Sequence, residues 1–235
     1  MTAAERSGAA RPFAIAVGDT GNVSAELVLP ARPTACLVLA HGAGAGMNHP
    51  FLVAVAGGLA ARGIATLRYN FPYMERGRKR PDSPPLAHAT VRAAVARAAE
   101  AMPDVPLFAG GKSFGGRMTS QAQAAEPLPK VRGLVFWGFP LHPPGKPSVE
   151  RAAHLAAIRV PLLFLQGTRD EFAELRLITE TVRALGPLVE LSLLENADHS
   201  FRVPARSGRT NVETREELLD RAAAWMRTVT EAGGS

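Results

Sequence analysis

The segment LFAGGKSFGGRM places Ser113 in a G-x-S-x-G pattern between Gly111 and Gly115, after an apolar run and before a helical one. A serine on a sharp strand-to-helix turn sits in a strained backbone conformation, and neighbours without a Cβ let strand and helix approach without collision. Its hydroxyl then stands clear of the sheet. The helix N-terminus adds backbone N–H groups and a positive dipole end where an oxyanion would form. The letters GKS also belong to phosphate-binding loops, but that motif needs a glycine five positions before Gly111, and Pro106 stands there. The pattern therefore points to a nucleophile rather than a phosphate cradle.

Serine is a weak nucleophile and needs a base to take its proton. Where the order along the chain is nucleophile, acid, base, the choice among the six histidines is narrow. His41, His49 and His88 precede Ser113, and His142 and His154 precede the acid candidate. His199, in ENADHSF, is the one that follows it. Asp170 closes PLLFLQGTRD, so it emerges from the end of a buried strand, where the loops of an open α/β sheet gather. A carboxylate there can hold one imidazole nitrogen and stabilise the cation formed when the other accepts a proton. The competing role for Asp170 is to cap a helix starting at Glu171, and Glu171 and Asp198 are the alternative acids. The stretch HGAGAG follows the first parallel strand, and backbone N–H groups of Ala43 or Gly44, together with that of Phe114, are candidates to hold an oxyanion. His41 and His49 lie near these glycines, but no third ligand stands at useful spacing and no H-E-x-x-H occurs, so neither a metal nor a cofactor is expected.

The elements that must position these residues follow from periodicity. Short apolar runs at 35–40, 64–69, 107–111, 131–137, 161–167 and 189–195 alternate with longer amphipathic stretches, the pattern of βα units feeding a mostly parallel, doubly wound α/β sheet. Runs at 13–17 and 24–29 predict an antiparallel hairpin at one edge. Helices are predicted at 50–61, 85–102, just after Ser113, 148–158, 171–185 and 214–230, the last with a capping box of Thr214 and Glu217.

At 235 residues, with 46% hydrophobic and 20% charged residues, the chain suits one domain over 11–230, with disordered tails at 1–10 and 231–235. The first ten residues contain no apolar signal region, and no run reaches the roughly 18 apolar residues of a membrane span. A cytoplasmic protein without a membrane partner is expected. Cys36, the one cysteine, lies within ACLVLA and reads as a small buried hydrophobe. The net charge of +6 invites a nucleic-acid reading, yet its arginines are spread along helices and no recognition motif accompanies them. The expected partner is a small-molecule substrate.

Together HGAGAGMNHPFL, RYNFPYMERGRKRPD, GGKSFGGRM, GFPLHPPGKP, QGTRDEF and ADHSF resemble the α/β-hydrolase superfamily. The likeness is to its dienelactone-hydrolase-like group, in the lidless branch that includes a testis-expressed protein and a subunit of a histone acetyltransferase complex. It implies the α/β-hydrolase fold and the triad roles for Ser113, Asp170 and His199. Dienelactone hydrolases proper use a cysteine at the elbow, so Ser113 argues against dienelactone itself. After the strand ending at Trp137 only a short proline-rich loop follows, which leaves no room for a large cap. The function expected is hydrolysis of a small ester, thioester or lactone through an acyl-enzyme on Ser113. A non-catalytic interaction module, implied by the chromatin-complex relative, is the alternative. Finally, the run Arg76, Arg78, Lys79 and Arg80 follows a strand end on the expected active face. A solvated loop is its commoner meaning, but Arg78, Lys79 and Arg80 are also candidates to bind the anionic group of a substrate.

Overall fold

The predicted apolar runs become the strands of one sheet in the computed structural model, which describes residues 9–233. The strands are β1 (Ala9–Ala16), β2 (Asn22–Leu29), β3 (Ala35–Ala40), β4 (Ile64–Tyr69), β5 (Leu107–Lys112), β6 (Val131–Trp137), β7 (Leu162–Gly167) and β8 (Val189–Leu194). Their order across the sheet is β1-β2-β4-β3-β5-β6-β7-β8. From β4 to β8 the neighbours are parallel, while β1 and β2 pair antiparallel with each other and β2 antiparallel with β4. The helices are α1 (Pro50–Ala60), α2 (Pro72–Glu75), α3 (Pro84–Ala101), α4 (Phe114–Ala125), α5 (Leu175–Leu185) and α6 (Asn211–Ala232).

Side chains alternate across each central strand because the pleat has a period of two, and both faces are covered, so these strands read as continuous apolar runs. In β3, Cys36, Val38 and Ala40 face one core with Val91, Ala94 and Met118 of α3 and α4. Ala35, Leu37 and Leu39 face the other, with Leu52, Val55 and Leu59 of α1 and Leu218, Leu219 and Ala222 of α6. Burial pushes the Cys36 thiol up to about 12, which keeps it protonated and inert.

Four elements differ from the predicted ones. The stretch 148–158 forms a 3-10 segment, Glu150–Ala157, rather than an α-helix. The helix expected at 171 begins at Leu175, because 171–174 turns across the sheet edge first. The last helix starts one turn early, with its capping box made by Thr210 and Glu213 rather than Thr214 and Glu217. Thr214 is instead fully buried, bonded to the Thr210 carbonyl. The short α2 lacked a periodic signal, since four residues make barely one turn. Most of the expected tails lie outside the described residues; within them, β1 starts at Ala9 and α6 ends at Ala232, two residues into each. Among the described residues no helix is long and apolar enough to cross a membrane. The connection 138–149 carries no helix or strand, so no large cap covers the sheet edge.

This topology sets the location of the site. β3 leads through α1 to β4 on one side, whereas β5 lies on the other, so the direction of winding reverses between β3 and β5. Loops leaving the C-terminal ends of such neighbouring strands diverge and leave a crevice. HGAGAG leaves β3 and the Ser113 turn leaves β5 at that point.

Candidate active site

Ser113 caps α4 with φ 50° and ψ −114°, a strained conformation for a residue with a Cβ. The turn closes only because its flanking positions are bare. A Cβ on Gly111 would come within 2.5 Å of the Ala40 carbonyl oxygen, and one on Gly115 within 2.6 Å of that of His41. The backbone of β3 would have to move, so both positions of the motif are required by close packing.

The structure brings Ser113, His199 and Asp170 together across three loops. Ser113 Oγ lies 2.9 Å from His199 Nε2, and His199 Nδ1 lies 2.7 Å from Asp170 Oδ2. The carboxylate side chain is fully buried and the imidazole mostly so. With Nδ1–H donating to the carboxylate, Nε2 is left to accept the serine proton. Asp170 does not cap the following helix. Its Oδ1 accepts the Phe172 N–H at 2.8 Å, and Oδ2 also accepts from Gln166 Nε2 at 2.5 Å. Gln166 is in turn oriented by the Phe139 N–H, which donates to its Oε1 at 2.9 Å. Of the alternative acids, Glu171 is exposed. Asp198 accepts the N–H groups of Ser200 and Arg202 and so shapes the turn that presents His199. Phe172 packs against the imidazole at 4.4 Å between ring centroids.

Of the expected oxyanion donors, Ala43 and Phe114 both line the crevice at Ser113, and among the described residues neither N–H donates to another group. Gly44 does not serve: its N–H donates to the Tyr73 hydroxyl at 2.9 Å. That bond anchors the loop, leaving Ala43 at its tip. His41 supports the same loop from beneath. Its Nδ1–H donates to the Gly42 carbonyl at 2.7 Å and its Nε2 accepts the Phe71 N–H at 3.0 Å, while burial holds it neutral with a pKa of about 4. His49 caps α1, accepting the Phe51 N–H. Both histidines thus have structural partners.

Ser113 stands between two cavities. One, of about 660 Å³, is lined by Ala43, Arg80, Phe114, Arg117 and Arg151; the other, of about 560 Å³, by His49, Phe51, Lys112, His199 and Phe201. Of the basic run, Arg80 alone lines either; Arg78 and Lys79 lie exposed outside both, because the chain turns outward after α2. A second serine–histidine pair, Ser120 with His154 at 2.7 Å, lies about two helical turns along α4 from Ser113, and neither residue lines either cavity. Ser120 also bonds to the Arg117 carbonyl, and burial with the nearby Arg117 cation lowers His154 to about 4. It ties the 3-10 segment to α4.

Sequence reasoning passed over Gln166, Tyr73, Arg117, Arg151 and Lys112. Lys112 had a signal, since it precedes the serine in a mostly apolar segment. Its ammonium donates to the His199 carbonyl at 2.6 Å and lies 5.3 Å from the Phe201 ring. Burial pushes it down to about 8, with Asp170 and Asp198 opposing. In Lys112→Met the histidine loop loses this tether, and any reaction of Ser113 through His199 is expected to slow roughly tenfold, in line with a charge-assisted bond worth about 1.5 kcal/mol. Stability depends on pH through the same group. The native lysine releases its proton near pH 8 and the unfolded one near 10.5, so the unfolded chain binds more protons in that window. Wild-type stability relative to Lys112→Met therefore rises between about pH 8 and 10.5. Melting curves of both proteins across pH 7–11 check this; a falling difference contradicts it.

Residues 33–227 match the family model described as Alpha/beta hydrolase domain. The chain is an α/β hydrolase. Several solved structures share this fold at low identity. A dienelactone hydrolase from Anabaena variabilis superposes with a TM-score of 0.74 at 20% identity, covering 94% of this chain and 98% of that one. An alpha-beta serine hydrolase homologue from Coxiella burnetii gives 0.72 at 22%, covering 90% and 96%. A serine hydrolase without lid from Xanthomonas campestris gives 0.72 at 20%, covering 92% and 94%. This α/β hydrolase carries its Ser113 turn where the expected strand–turn–helix context requires it.

Proposed function

We propose that this α/β hydrolase is a serine hydrolase that cleaves a small ester, thioester or lactone through an acyl-enzyme on Ser113. The observation that carries the reading is the unbroken relay from Ser113 Oγ through His199 to Asp170, at 2.9 and 2.7 Å, opening onto two cavities. Ser113 Oγ attacks the carbonyl carbon while its proton passes to His199 Nε2, and the carbonyl oxygen becomes an oxyanion between the N–H groups of Ala43 and Phe114. Asp170 stabilises the imidazolium. Collapse of the tetrahedral intermediate breaks the bond to the alkoxide or thiolate, which takes the proton from Nε2 and leaves the acyl group on Ser113. Water then enters, gives its proton to His199 and displaces Ser113 in the reverse sense, releasing the acid.

Within the family the reading extends to the lidless, dienelactone-hydrolase-like branch that includes a testis-expressed protein and a histone acetyltransferase complex subunit. The uncapped sheet edge and the motifs shared along the chain support it, and the serine nucleophile favours simple esters over dienelactone. A fluorophosphonate probe is expected to add one adduct, on Ser113, as read by intact mass and peptide mapping. No adduct, or an adduct on another serine such as Ser120, contradicts the reading and leaves an interaction module as the better description.

A further inference from the structure

We propose that the larger cavity is the acyl site and that Arg117 and Arg151 form an anion-binding pair within it, so that the preferred substrate has an acyl group ending in a carboxylate. This rests on the serine-hydrolase reading for its direction. The leaving group must take its proton from His199 Nε2, and His199 lines the smaller cavity but not the larger. The acyl chain, which stays on Ser113, therefore extends the other way, along Phe114 and Met118. Arg117 stands one helical turn after Ser113, its N–H bonded to the Ser113 carbonyl at 3.1 Å, so the two side chains rise on the same face of α4.

The charge arrangement of that wall is unsatisfied without a ligand. Arg117 Nε is buried and, among the described residues, has no hydrogen-bond partner, although the guanidinium carries five N–H donors. Its pKa is pushed below the ordinary arginine range by burial and by the Arg151 cation, with no carboxylate opposing. Arg80 adds a third cation at the rim. Among the described residues Asp82 is the one carboxylate lining that cavity, and its Oδ2 already accepts the Tyr73 N–H at 3.0 Å. Two guanidinium groups lining one partly buried pocket repel, and a carboxylate bound there removes that cost while accepting several N–H bonds. The basic loop at 78–80 contributes through Arg80 rather than through Arg78 or Lys79.

The test compares background-corrected release of 4-nitrophenolate from mono-4-nitrophenyl succinate, glutarate and adipate with release from their neutral methyl esters. In wild type kcat/KM is expected to favour one of the acids over its methyl ester by roughly 10- to 100-fold, the range of one or two charge-assisted bonds. Arg117→Gln and Arg151→Gln each lower that ratio about tenfold, mainly through KM, and Arg183→Gln on the exposed face of α5 leaves it unchanged. In parallel, calorimetry on Ser113→Ala measures binding of succinate, glutarate, adipate and inorganic phosphate, with and without Arg117→Gln. Arginine-dependent glutarate binding supports the pair even if Ser113 takes no fluorophosphonate, an outcome that would overturn the hydrolase reading instead. Labelling and turnover with equal rates for acid and methyl ester, or with a ratio that both arginine variants preserve, overturns the anion site and leaves the hydrolase reading intact. Tighter binding of phosphate than of any of the three dicarboxylates overturns the carboxylate assignment.

Discussion

Ser113→Ala is expected to lower kcat/KM for an activated ester by roughly five orders of magnitude, because nucleophile and base act as a unit and neither substitutes for the other. What is expected to remain is the contribution of binding and of the proposed oxyanion donors, a background of about 10³ over water. Folding is expected to be preserved. Among the described residues Ser113 Oγ bonds to His199 alone, at the mouth of the crevice rather than in the core, and alanine meets the same backbone strain at φ 50° as serine does. The melting temperature therefore shifts by only a few degrees, in line with a loss of about 1 kcal/mol. Stopped assays at high enzyme concentration with parallel circular-dichroism melts check both halves. Substantial turnover in a folded Ser113→Ala protein would remove the serine from the chemistry.

Asp170→Asn is expected to reduce kcat by about 10⁴ with little change in KM, since it disturbs the histidine tautomer while leaving the cavity shape alone. The surroundings of the carboxylate make the effect specific. Its two oxygens accept three N–H donors, from His199, Gln166 and the Phe172 backbone. An amide in its place can offer an oxygen to only one side. With oxygen toward His199 and Gln166, its NH₂ faces the Phe172 N–H; turned over, the NH₂ faces both side-chain donors. In the second case His199 is driven to carry its proton on Nε2, and Ser113 loses its base. Gln166 cannot relieve the conflict by flipping, because its own oxygen is held by the Phe139 N–H. Burial of an unmatched donor also costs about 1–3 kcal/mol of stability, so a lowered melting temperature accompanies the kinetic loss. Glu171→Gln, on an exposed residue, is expected to match wild type. Wild-type kinetics in Asp170→Asn, with the loss appearing in Asp198→Asn, would move the acid to the histidine turn.

Much of this protein could be read from residue order alone, and the reason is local physics. The central strands are buried on both faces, so their apolar runs carry their own boundaries: the predicted 35–40, 64–69 and 131–137 coincide with β3, β4 and β6. The turn at Ser113 was legible because the glycines around it answer a steric demand that few other residue types meet. Asp170 and His199 followed from their places after strand ends, since a parallel sheet delivers every such loop to one edge.

Other features depend on groups far apart in the chain. Nothing near Gly44 tells that its N–H is taken by a hydroxyl 29 residues on, so the choice between Gly44 and Ala43 required the folded loop. Helix starts slipped where several residues could cap equally well, as Thr210 and Thr214 show, because burial of the apolar face rather than the cap decides the register. The charged residues were least legible. Arg78 and Lys79 stood out as a run, yet they lie exposed, whereas Arg117 and Arg151, 34 positions apart, line one cavity with Ser113. A side chain's charge is written in its residue type, but its electrostatic role depends on burial and on neighbours, and those exist only once the sheet has brought α4 and the 3-10 segment together.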